Sequence, residues 1–148
     1  MAIFVTGGFG KTAKPLTKFL QEAKIPFVVG TRKGAAGAPP GVNAVKFDWL
    51  DPSTFEAPFQ HSFDGGEKIT GVYLVGPWGG DPSGPVNSFI DLAVKHGVKR
   101  FAFLAGSSLQ KGSPQPGQIW EHLDKLGLEY TILKATWFIG KFWSPILV

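Results

Sequence analysis

The sequence predicts an α/β protein with a doubly wound parallel sheet, because apolar runs and amphipathic helical stretches alternate along nearly the whole chain. Two further observations support it. A glycine-rich turn follows the first apolar run and opens the first helix, and a glycine stands where each of the two later helices should stop.

Residues 2–6 (Ala-Ile-Phe-Val-Thr) form a short buried first strand. Leu16, Phe19, Leu20 and Ala23 recur at helical spacing and predict a helix over 11–23, with Pro15 tolerated in its first turn. Residues 25–31 make the second strand, 34–41 a flexible loop by composition, and 42–48 the third strand. A short helix over 51–59 and a polar stretch lead to the fourth strand, 69–75, which ends at Gly76-Pro77. Val86, Phe89, Ile90, Ala93 and Val94 share one face of a helix over 85–96, closed by Gly97. The fifth strand covers 98–105, a helix over 118–126 stops at Gly127, and 128–133 form the sixth strand. The expected strand order is 3-2-1-4-5-6.

With 148 residues the chain has room for one domain, 1–148. It contains no Cys, which excludes disulfides, thiolate metal sites and cysteine nucleophiles and makes the cytosol the default compartment. The opening apolar run is too short for a signal-peptide core or a membrane span. A net charge of +4 is carried by scattered residues with no nucleic-acid-reading motif, so it reads as a solvated surface with a few groups aimed at a small anion.

Thr6-Gly7-Gly8-Phe9-Gly10-Lys11-Thr12-Ala13 has the context of a dinucleotide-binding turn, between a strand and a helix. Gly7 allows the tight turn, Gly10 lets backbone approach a pyrophosphate, and Ala13 is small enough for the helix to pack on the sheet. The anion would meet free N–H groups at the helix N-terminus. Thr31-Arg32-Lys33 ends the second strand where an acid would otherwise meet the ribose 2′-hydroxyl, which favours a 2′-phosphate and hence NADP(H). Asp48-Trp49 stands at the level of the adenine, with capping of the next helix as the competing role for Asp48 and Asp51 as a rival cap. Gly76-Pro77 lies where ligand meets backbone in a Rossmann-type sheet, or is only a turn.

With these residues placed, the chain resembles the NmrA-like atypical branch of the short-chain dehydrogenase/reductases, and more narrowly the fungal ergot-alkaloid reductases. The resemblance rests on Thr6–Thr12, Val45-Lys-Phe-Asp-Trp-Leu50, Gly71–Gly76, Phe89–Phe103 and Tyr130–Phe138. It implies an NADPH-dependent reductase sending hydride to the iminium carbon of an indole alkaloid. Such a carbon needs no acid, unlike a ketone, whose reduction in this superfamily uses a Tyr-x-x-x-Lys pair. Here the corresponding helix reads Gly117-Gln-Ile-Trp-Glu-His-Leu123, and the only tyrosines, Tyr73 and Tyr130, fall in strands. No catalytic residue is assigned. Ser107 and Ser108 stand at the level of the superfamily's serine and could orient substrate, or form a loop turn. Trp137 and Phe138 could roof an aromatic substrate, or belong to the core. Glu121 and His122 are neighbours on a helix and do not share a face, and His61 and His96 fit a surface loop and a helix end, so no metal is expected.

Lys134-Ala135 replaces the Arg-Pro of the family, whose members are markedly longer, so the substrate-binding C-terminal part is expected to be largely missing. The apolar end at Trp137, Phe138, Phe142, Trp143 and Ile146 would then promote self-association. Two alternatives stay open: a non-catalytic NADP-binding regulator of the NmrA type, and an inactive truncated remnant.

Overall fold

The computed structural model describes residues 1–136. The elements are β1 (Ala2–Val5), α1 (Ala13–Glu22), β2 (Phe27–Thr31), β3 (Ala44–Lys46), α2 (Ala57–Gln60), β4 (Ile69–Val75), α3 (Ser83–Lys95), β5 (Arg100–Gly106), α4 (Pro116–Lys125) and β6 (Glu129–Ala135). The six strands form one sheet in the order β3-β2-β1-β4-β5-β6, and every pairing is parallel. The sheet is that of a Rossmann-type α/β fold, as the alternating pattern predicts.

Because successive side chains leave a strand on opposite faces, each strand feeds two apolar layers. Ala2 and Phe4 of β1 join Val72, Leu74, Phe101 and Phe103 under α3 and α4, whose Phe89, Ile90, Ile119 and Leu123 are buried. Val5 and Val29 face the other way, against Ala13 and Leu20 of α1. Phe47 carries an aromatic cluster beneath α3, with ring centroids 5.1 Å from Phe89, 4.9 Å from Trp49 and 5.3 Å from Phe55. That cluster pins the segment after β3 against the sheet.

Several elements differ from expectation for local reasons. The inward face of α1 is Ala13, Thr17 and Leu20, while Phe19 is 62% exposed. Thr17 can turn inward because its hydroxyl donates to the Lys14 carbonyl at 2.9 Å, which shifts the buried stripe by one position. The loop after β2 contains a 3₁₀ turn, Gly34–Gly37, started by Gly34 at φ +57° against the Lys46 backbone. The helix expected over 51–59 splits into a 3₁₀ turn (Pro52–Thr54) and α2, since Pro58 can donate no helical bond. β3 ends at Lys46, and the chain turns back through a bridge between Asp48 and Asp51. α3 begins at Ser83, ahead of the expected start, because the Asp81 carboxylate accepts from both the Ser83 amide (2.9 Å) and its hydroxyl (2.7 Å). Among the described residues, no helix is long and apolar enough to cross a membrane.

Candidate nucleotide-binding site

The carboxyl end of β1 meets β4 where the strand order reverses, which is where ligands lodge in open α/β sheets. Thr6 is fully buried there. Its amide donates to the Tyr73 carbonyl at 3.0 Å, its hydroxyl donates to the same carbonyl at 2.9 Å, and the hydroxyl oxygen accepts from the Val75 amide at 2.7 Å. The side chain thus continues the β1–β4 ladder after the backbone has turned away. Thr6→Val keeps the shape and strands a buried N–H, so a loss of about 1–3 kcal/mol in stability is expected. Thermal melts of both proteins check it; an unchanged midpoint would mean the hydroxyl contributes nothing net.

Beyond Thr6 the backbone takes conformations that favour glycine. Gly7 lies at φ +84° and Gly8 at φ +57°, and a Cβ on Gly7 would come within 3.0 Å of the Val75 Cβ. The Gly8 amide donates to the Gly30 carbonyl at 3.0 Å, which seats the turn beside β2. The Gly10 amide donates to the Gly7 carbonyl at 3.2 Å, and the Lys14 amide to the Gly10 carbonyl at 3.0 Å, which starts the helix. Thr12, the N-cap of α1, makes no side-chain capping bond, so the helix opens onto the turn without a cap from its own side chain. Ala13 is 1% exposed against the sheet, leaving no room for a larger residue. Phe9 packs half-buried against the α1 layer, while Gly10 and Lys11 are exposed.

Arg32 and Lys33 follow β2 two and three residues after Gly30, so they stand beside the glycine turn. Both are exposed, and neither forms an ion pair among the described residues. The Lys33 amide donates to Thr31 Oγ1 at 3.1 Å and fixes the bend that carries them.

Asp51, not Asp48, caps the next turn. The Asp48 Oδ1 accepts from the Leu50 amide at 3.0 Å within the turn, and Asp51 takes the capping role by accepting from the Ser53 amide at 3.2 Å. The Trp49 indole Nε1 donates to the Val75 carbonyl at 3.0 Å, with its ring inside the aromatic cluster. Its side chain is therefore structural, and only its backbone is left to line a ligand. Gly76 packs with its Cα side toward Pro82, and Pro77 is half-buried. Trp78 is 99% exposed. Its neighbours Gly79 and Gly80 were the available signal, since they mark a tip rather than a core position.

Ser107 and Ser108 are exposed just after β5, at the same edge of the sheet. Trp137 and Phe138, with the apolar end beyond them, lie outside the described residues. The remaining polar side chains are engaged elsewhere. Tyr130 donates to Asp124 Oδ1 at 2.7 Å and accepts from Trp120 Nε1 at 3.2 Å, near the amino end of β6 and far from the glycine turn. Asp124 also accepts from Lys111 at 2.9 Å, and these two bonds hold its carboxyl below the usual range. His122 pairs with Asp91 at 2.7 Å and Glu121 with Lys125 at 3.0 Å, which keeps the adjacent acid and imidazole apart. His96 contacts Glu56 at 2.9 Å and stacks on Phe59. Among the described residues, no cluster of His, Asp and Glu could hold a metal ion.

Comparison with known proteins agrees with this architecture. No protein-family model matches the chain. Agroclavine dehydrogenase of Claviceps purpurea is 43% identical over 144 residues, which is 96% of this chain and 48% of the relative. Festuclavine synthase I of Penicillium roqueforti is 40% identical over 141 residues, 94% of this chain and 48% of the relative. The chain is homologous to these proteins. It spans about half the length of the curated relatives it matches. Among solved structures, a nucleoside-diphosphate-sugar epimerase from Staphylococcus aureus superposes with a TM-score of 0.74 at 17% identity, covering 96% of this chain and 53% of its own. The triphenylmethane reductase of Citrobacter sp., solved with NADP(H), gives 0.73 at 17% identity, with 96% and 52% covered. At those identities the likeness speaks to fold alone.

Proposed function

We propose that this chain carries the NADP(H) site of a reductase that delivers hydride to the iminium carbon of an indole-type alkaloid. The observation that carries the reading is the pairing of a glycine turn, with Gly7 and Gly8 at positive φ before an uncapped helix N-terminus, with an exposed Arg32 that forms no ion pair among the described residues. The turn leaves backbone N–H groups and a positive dipole end for a pyrophosphate, with no side chain between ligand and backbone. Arg32 offers a planar donor fork for a 2′-phosphate, and Lys33 adds charge. Asp48 and the Trp49 backbone stand at the adenosine side, with Gly76 and Pro77 along the crevice. The kinship with agroclavine dehydrogenase and festuclavine synthase supports an oxidoreductase of alkaloid metabolism acting on a small molecule.

The bound dinucleotide would supply the hydride. The chain's own part is to hold and orient it at the carboxyl edge. An iminium acceptor suits the residues found there, because its carbon is already cationic and hydride turns it into a neutral amine with no proton required. Tyr73 is buried in β4 and Tyr130 is bonded to Asp124 near the opposite edge, so neither is poised as an acid at the turn. Ser107, exposed just after β5, would orient substrate at that edge.

Arg32→Ala should weaken NADPH by about ten- to hundredfold, the equivalent of roughly 1.5–3 kcal/mol for a charge-assisted contact, and leave NADH unchanged. Calorimetric titration of both cofactors against both proteins decides the matter. Equal affinity for NADPH and NADH in the wild type would remove the 2′-phosphate assignment. NADPH binding without oxidation by any iminium acceptor, in a chain that carries the relatives' full length, would instead favour a nucleotide-binding regulator.

A further inference from the structure

On the flank of α1 the structure has a cleft of about 570 Å³, between that helix and the segment that joins the 3₁₀ turn Gly34–Gly37 to β3. Its floor is apolar. Phe9 and Val42 line it and are half-buried against the layer that holds Leu20 and Val29. Pro39 and Pro40, both exposed, line the side opposite the helix. Proline has no amide N–H, so that wall can donate no backbone hydrogen bond to an extended peptide. The Gln21 side chain closes one end, because its Nε2 donates to the Gly41 carbonyl at 3.3 Å across the cleft. Between Lys14 and Gln21, the first and last helix residues that line it, the axis rises by about 10 Å.

The charge on this lining has one sign. Lys14 and Lys18 are exposed one turn apart on the same face of α1, and no Asp or Glu lines the cleft among the described residues. Lys14 forms no ion pair among the described residues, and Lys18 meets Glu22 at 3.9 Å where both side chains are in water. The two neutral polar side chains of the lining are already engaged, Thr17 on the Lys14 carbonyl and Gln21 on Gly41. The ammonium groups are what remains to meet a ligand.

We infer that this cleft binds a small organic anion with an apolar body, of the class of medium-length aliphatic carboxylates. The carboxylate would lie at Lys14 and Lys18, and the tail over Phe9, Pro39 and Val42. The dimensions favour one small molecule over a protein segment. A pocket of about 300–1,000 Å³ suits a single ligand, whereas a stable protein interface takes about 800 Å² from each partner. Exposed lysines supply preference for an anion, and burial of the tail supplies most of the affinity. The nucleotide proposed above lies over the backbone of the glycine turn, so this is a second site. It borders the first at Phe9 and at Gly37, where an added Cβ would come within 3.1 Å of the Lys33 Cβ.

The probe is octanoate, titrated by calorimetry beside octan-1-ol and octylamine, which keep the tail and change the head. Octanoate should bind several-fold more tightly than the alcohol, and the amine more weakly than either. Lys14→Gln combined with Lys18→Gln should weaken octanoate by roughly fivefold and bring it level with the alcohol. Circular dichroism confirms that the variant keeps its fold, as expected for side chains in water. A diazirine-bearing octanoate, photolysed and mapped by mass spectrometry, should label within residues 9–21 and 37–42, and octanoate but not NADP⁺ should displace it. Absence of octanoate binding overturns the assignment, as does equal affinity for the three head groups or an unchanged affinity in the double variant. Labelling outside those residues shows adsorption to other apolar surface and overturns it too. Displacement by NADP⁺ makes the cleft an arm of the nucleotide crevice, which overturns the second site while leaving the nucleotide reading intact.

Discussion

Gly10→Val is expected to abolish NADPH binding while the protein stays folded. Gly10 is exposed, so a larger residue there removes nothing from the core. Its added Cβ would come within 3.1 Å of the Gly7 carbonyl, in the tightest part of the turn, and the two methyl groups would project into the space where a pyrophosphate must approach backbone. A phosphate held off the N–H groups loses both the hydrogen bonds and the helix-dipole attraction. Circular dichroism and calorimetry on one sample separate the effects. Retained NADPH affinity would put the phosphate site elsewhere, whereas a collapsed far-ultraviolet spectrum would show that the turn is needed for folding rather than for ligand. Gly7 is a poorer choice for this test, because a Cβ there meets the Val75 side chain at 3.0 Å and strains the β1–β4 junction directly.

The second large effect concerns turnover. A polypeptide of residues 1–148 should bind NADPH yet oxidise it poorly with an iminium acceptor, and joining to it the remaining half of agroclavine dehydrogenase should raise the rate by orders of magnitude. Hydride transfer depends on holding the acceptor carbon against the nicotinamide, and such positioning supplies about 7–11 kcal/mol of the barrier in good cases. The described residues bring to that edge the exposed Ser107 and Ser108. On the α1 side of the sheet, Ala102 and Leu104 of β5 are half-buried and Leu133 of β6 is 42% exposed, a face with surface to offer another element. The same surface, together with the apolar residues from Trp137 onward, should make the short polypeptide associate, which light scattering reads directly. Rapid turnover by a monodisperse 148-residue chain would show that its pocket is complete without the added half.

Sequence alone determined the order and kind of the elements, because periods of two and of three to four residues report directly which side of each segment meets apolar neighbours. It also located the glycine turn, since glycine adopts at least cost the positive φ that Gly7 and Gly8 show. The strand order was legible through the topology that alternating strands and helices impose.

What the tertiary structure decided lies where side chains choose among partners distant in the chain. Trp49 is indistinguishable in sequence from a ligand-facing aromatic, and only its bond to Val75 across 26 positions makes it structural. Asp48 and Asp51 are chemically equivalent caps until the chain reverses between them, after which one holds Leu50 and the other Ser53. Phe19 matches the helical period but loses its inward place to Thr17, whose hydroxyl satisfies itself on the preceding turn. Trp78 belongs to no periodic segment, and the adjacent Gly79-Gly80 is the local sign that it lies at a tip. Periodicity is a local property of the chain, whereas exposure and hydrogen-bond partnership depend on which segments the fold brings together.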